Sequence, residues 1–121
     1  MKPWRYKLKN ISKLPSFHFE GMDVRPLVTK DETEKLVTYH IRIPKKVRIP
    51  HSYHKIAHEI IVVLSGSGTA HLNDKRFSIK ANDTIFIKPY TWHSFSTNQD
   101  SLEIITFLTP RVDQVTDLYY E

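Results

Sequence analysis

The chain has no cysteine. Disulfides and thiolate zinc sites are therefore excluded, and any metal must sit on histidine, glutamate or aspartate. It also has no run of about eighteen apolar residues, which argues against a membrane-spanning helix. The basic N-terminus, MKPWRYKLKN, is not followed by the apolar core of a signal peptide. Export is thus not expected, and a cytoplasmic address is. No internal repeat, low-complexity tract or linker interrupts the sequence, and no stretch keeps apolar residues at a helical period. What is present is ordinary for a soluble globular protein: 121 residues, 40% hydrophobic and 26% charged. That is one domain by length, large enough to bury a core.

Acids are missing locally. The first nineteen residues carry Lys2, Arg5, Lys7, Lys9 and Lys13 with no acid, and Arg42, Lys45, Lys46, Arg48 and Lys55 form a second such patch. The formal net charge is +5. Patches of this kind can bind phosphate backbones, but no nucleic-acid motif accompanies them. A solvated basic face is the simpler reading, and nucleic acid is not an expected partner. The same patches would draw a small anionic molecule toward a pocket.

Short β-branched and aromatic runs fill the chain: DVRPLVT, LVTYHIRI, EIIVVLSG, GTAHLN, RFSIK, DTIFIKP, WHSFST and LEIITFLT all read as strands. Between them PKK, GSG, ND and AND are turn material. Asn73-Asp74 predicts a tight hairpin. The tail PRVDQVTDLYYE reads as a turn of helix or a frayed end. An all-β sandwich or barrel follows.

Strand parity sorts the histidines. Residues two apart share a face, so Ser52 and His54 point one way and His51 the other, unless a bulge intervenes. Glu59, Ile61 and Val63 share a face opposite His58. His93 shares its face with Thr91 and Phe95. A small barrel with a polar interior would bring His54, Glu59 and His93 together.

These residues resemble the cupin superfamily. Its first motif runs G-x5-H-x-H-x3,4-E-x6-G, and His54, Glu59 and Gly66 fit the second half without a gap. Its second motif, G-x5-P-x-G-x2-H-x3-N, laid on NDTIFIKPYTWHSFST, puts its histidine on His93. The likeness covers roughly residues 40 to 108. Departures are Lys46, Asn82 and Tyr90 at three glycine positions, Ser52 at the first histidine, Lys88 at a proline and Thr97 at an asparagine. The resemblance implies a single jelly-roll domain (a double-stranded β-helix) over residues 1–121. Within it, an N-terminal arm takes about 1–25, the barrel about 26–110 and a short tail 111–121.

It also implies a metal site. His54, Glu59 and His93 would hold a divalent transition metal, with iron, manganese, nickel, zinc and cobalt not distinguished. A degenerate cupin with a metal-free pocket is the alternative. His51 is the candidate to replace the ligand lost at Ser52, if a bulge near Pro50 turns it inward. The simpler reading keeps it outside. His58 should face away, His40 and His71 lie on other strands, and His18 reads as structural or exposed.

Tyr39, Tyr53, Tyr90, Trp92 and Phe95 fall near the expected barrel mouth, and Arg25, Arg42, Arg48 and Lys88 are candidates to meet an anionic ligand. Two functions then compete. One is a metal-dependent enzyme acting on a small polar, anionic molecule, by polarising an oxygen or, with iron, by binding dioxygen. The other is a small-molecule binding or sensor module without turnover. Edge strands of a small barrel and the family likeness lead to the expectation of a homodimer, which sedimentation at high micromolar concentration checks.

Overall fold

Glu59, Ile61 and Val63 are buried while His58, Ile60 and Leu64 are exposed, the alternation of a strand with one face on a core. They belong to β5 (His58–Leu72), the longest of ten strands in the computed structural model, which describes residues 4–110 and 117–120. The others are β1 (Phe17–Phe19), β2 (Met22–Val28), β3 (Val37–Ile43), β4 (Ser52–Tyr53), β6 (Lys75–Lys80), β7 (Thr84–Ile87), β8 (His93–Ser96), β9 (Leu102–Thr109) and β10 (Tyr119–Tyr120). The first half of β5 pairs antiparallel with β7 and β9, and β3, β2 and β1 extend that sheet. Its second half pairs with β6 and β8, and β4 and β10 lie beyond. One strand thus serves both sheets. They curl over a common interior as an all-β jelly-roll barrel.

The Gly66-Ser67-Gly68 triplet corrects one expectation. It is not a turn between two strands but the middle of β5. The register with β9 shifts between Val63 and Ser65, and Gly66 has φ of 80°. A Cβ on Gly66 would stand 1.8 Å from the Ser101 carbonyl oxygen, and one on Gly68 2.8 Å from that of Ser96. These glycines mark a bulge and a close backbone approach, not a chain reversal. The Asn73-Asp74 hairpin is as expected, with Leu72 opposite Lys75.

Both ends of the chain join the sheet more than the sequence suggested. β1 and the start of β2 fall inside the expected arm, and Met22 and Val24 are core residues. Of the tail, residues 111–116 lie outside those described. The remainder is not a helical turn: β10 pairs with β4, and Tyr119 stacks on Tyr53 at 5.3 Å. The core centres on Ile43, Ile61, Leu102 and Ile104, all essentially enclosed. Each such side chain contributes about 1.5–3 kcal/mol.

Lys46, Asn82 and Tyr90, the three residues standing at glycine positions of the resemblance, have φ of 57°, 77° and 68°. The backbone keeps glycine's left-handed conformation without glycine. For an ordinary L residue this costs about 1–2 kcal/mol, less for asparagine. Lys46→Gly should therefore stabilise the fold by roughly 0.5–1 kcal/mol, once glycine's greater freedom in the unfolded chain is deducted. Urea titration reads this, and a lower midpoint than the parent's would contradict it.

Candidate metal centre

Three elements bring the triad together. His54 follows β4 directly, His93 opens β8, and Ser52 on β4 lies opposite His93. Glu59 comes from the first half of β5, paired with Leu108 and Ile87 in the other sheet. The group therefore spans the interior from sheet to sheet. All three residues are buried, and each offers one donor atom within 4.8 Å of the others. Glu59 Oε1 is 3.2 Å from His93 Nε2 and 3.4 Å from His54 Nε2.

The outward sides of the same residues are committed to protein. His93 Nδ1–H donates to the Thr91 carbonyl at 2.9 Å, and His54 Nδ1–H donates to the Asp117 carbonyl at 2.7 Å. A carbonyl only accepts, so the proton of each neutral ring sits on Nδ1 and the Nε2 lone pair points inward. The Thr106 hydroxyl donates to Glu59 Oε2, while Oε1 is buried with no hydrogen-bond partner. Three lone pairs converge with no donor among them.

That arrangement calls for a cation. Burial alone would keep His54 neutral, but attraction to Glu59 and then to Asp117 outweighs it, and its pKa is raised. Burial likewise opposes charge on Glu59, yet hydrogen bonds and charge attraction from the two imidazoles, once they are protonated toward it, hold its carboxyl far below the usual range. A divalent metal answers the same field better than a proton. Metal–donor bonds of about 2.0–2.2 Å set neighbouring donors about 3.0–3.4 Å apart, which the Glu59–histidine distances match. The residues present fit a metal.

The remaining candidates sort cleanly. His51 lies outside the converging group, its ring 5.6 Å from that of Trp92, while Ser52 lines the interior cavity. Unbroken strand parity explains both. His58 is exposed and stacks on Phe86. His40 pairs with Glu103 at 3.0 Å, His71 meets the Ser96 hydroxyl at 2.8 Å, and His18 pairs with Asp23 at the surface. Tyr39 and Phe95 line the cavity, whereas Tyr53, Tyr90 and Trp92 cluster away from it.

The cavity itself is small, about 70 Å³. Met22, Ile41, Ile49, Phe95, Ile104 and Leu108 make its walls apolar, and Glu20, Ser52 and Thr106 add polar atoms. None of Arg25, Arg42, Arg48 or Lys88 lines it; Arg25 and Arg42 face a separate surface pocket with Asp23 and His40. Thr106, Glu20 and Asp117 were missed from sequence. Thr106 carried a signal, as the one hydroxyl in the inward series Leu102, Ile104, Thr106, Leu108. Asp117 carried none.

Residues 39–108 match the family model of the cupin domain. The chain belongs to the cupin family. Similar folds include the Streptomyces nucleoside dehydratase Pac13, 17% identical with a TM-score of 0.80 over 98% of this chain and 92% of that one. The polyketide cyclase RemF from Streptomyces resistomycificus is 16% identical, with a TM-score of 0.84 over 96% of this cupin and 85% of RemF. A predicted oxalate decarboxylase from Thermotoga maritima is 20% identical, with a TM-score of 0.78 over 87% of this cupin and its own full length. At such identities the likeness shows the fold. Among the described residues of this cupin, no helix is long and apolar enough to cross a membrane.

Proposed function

We propose that this cupin holds a divalent transition metal on His54, Glu59 and His93 and takes a small polar, anionic molecule into the barrel interior. The observation that carries the reading is the convergence of two imidazole lone pairs and the unpartnered Glu59 Oε1 on one buried point. Three protein ligands leave positions open for a substrate oxygen. When bound, a divalent metal supplies Lewis acidity toward a carbonyl or carboxylate oxygen.

Anion preference rests on charge balance. A divalent ion held by one carboxylate keeps a positive charge, and among the described residues no Arg or Lys lines the cavity to provide it otherwise. The apolar walls suit the rest of a small molecule, and the volume limits its size. Thr106 fixes the Glu59 carboxylate, and among the described residues Glu20 is the cavity-lining carboxyl outside the triad. Burial raises the Glu20 pKa, which suits a group that gives or takes a proton. A small polar ligand also fits what one neighbouring structure contains: that of Pac13 holds uridine. The expected homodimer and cytoplasmic address belong to this proposal too. The exposed Ile60, Leu64 and Phe86 on the outer face of β5 and β7 support the dimer.

Elemental analysis of protein purified without a metal-binding tag tests the reading. About one transition-metal ion per chain is expected. Metal-free protein that also fails to take up added zinc or cobalt would leave the pocket as a metal-free binding site, the sensor reading.

A further inference from the structure

Asp117 is almost fully enclosed, with 1% of its surface exposed, and it lies far from the triad in sequence. Its carboxylate accepts the backbone N–H groups of Lys55 at 3.0 Å, Ile56 at 3.1 Å and Ala57 at 3.1 Å. Those three residues belong to the short loop separating His54 from Glu59. A buried carboxylate without such donors would be costly; with three it is well compensated, and the loop is held in one conformation. The backbone of the same residue then turns back on the site, where its carbonyl takes the His54 Nδ1–H at 2.7 Å.

The neighbouring residues seal the arrangement. Leu118 lines the cavity, Tyr119 pairs with Tyr53 on β4, and the Tyr120 hydroxyl donates to Glu20 at the cavity edge. Residues 117–120 therefore supply part of the wall of the interior as well as the partner of one candidate ligand.

We propose that Asp117 is a positioning residue of this centre. Its side chain anchors the carbonyl that sets the orientation and tautomer of His54, and so sets how tightly the triad holds a cation. The proposal rests on the metal reading for its second half only, because the tautomer is a property of the metal-free protein. Outer partners of this kind govern metal affinity by about 10–100-fold when removed. Removing the carboxylate does not delete the carbonyl. It frees both that carbonyl and the 55–57 loop to shift, and an unpinned imidazole exchanges between tautomers.

The test uses the full chain, Asp117→Asn and Asp117→Ala, with cobalt(II) as the probe. Long-range nitrogen–proton NMR of the metal-free proteins, at a pH well above the histidine range, reads which nitrogen of His54 is protonated. Nδ1 protonation is expected in the parent and a mixture of tautomers in both variants. Cobalt affinity should fall about 10–100-fold in Asp117→Ala and by less in Asp117→Asn, with unchanged far-ultraviolet dichroism. Should Asp117→Ala not fold, the parent spectrum and Asp117→Asn decide. Nε2 protonation of His54 in the parent overturns the proposal. So does an Asp117→Asn protein with the parent's tautomer and cobalt affinity. A parent that takes up no cobalt overturns the metal reading instead, and the imidazole spectrum still decides the role of Asp117.

Discussion

His93→Ala should strip the metal from the protein. Two protein donors seldom hold a divalent ion against water, and without His93 only His54 and Glu59 of the group remain. Affinity should drop at least about 100-fold, beyond what outer-partner changes cost. Under identical dialysis His51→Ala should keep its metal, since that ring faces Trp92 and not the cavity. Ser52→His should bind more tightly, because position 52 lines the same cavity and lies opposite His93. Metal content measured across the three variants, with dichroism confirming folding, separates a ligand from a bystander. A His93→Ala protein that retains its ion would end the triad as proposed.

Local alternation made most of the strands legible, because a half-buried strand writes its face into the sequence with period two. The same parity placed Ser52 with His54 and kept His51 away. The family spacing then set His54, Glu59 and His93 in one interior. What sequence hid has two physical sources. Glycine means either a reversal or a close approach, and only the partner backbone at Ser101 and Ser96 distinguishes them. Contacts made across the whole chain leave no periodic trace. Asp117 sits in an unpatterned tail, and its worth lies in three N–H groups some sixty residues away. The arginines failed for a related reason: Arg25 and Arg42 project from the outer face of β2 and β3, away from the cavity.

Acid should release the metal, and the metal-free protein should respond to pH in the opposite sense from the loaded one. Protons and metal compete for the same His54 nitrogen, so loaded protein loses affinity as pH falls. Because the pKa of His54 is raised above 6.5, the loss begins above the ordinary histidine range. It then steepens to about tenfold per pH unit for each imidazole proton displaced. Without metal the sign reverses. A raised folded-state pKa means that the charged imidazole stabilises the fold; that contribution is complete below the unfolded value of 6.5 and disappears as pH rises through the folded value. Glu59 works from the other side. Its depressed pKa contributes stability above the unfolded value of 4.5, lost as pH falls further. The buried cluster thus supports the metal-free fold most strongly between about pH 4.5 and 6.5 and less at pH 8. Thermal melts of chelator-treated and zinc-loaded protein from pH 5 to 8 measure both slopes. The loaded protein should gain stability over the metal-free one as pH rises, because the ion replaces the proton that Glu59 and His54 would otherwise share. Parallel curves across that range would show that His54 and Glu59 answer to neither proton nor metal, and the electrostatic account of the site would fall with them.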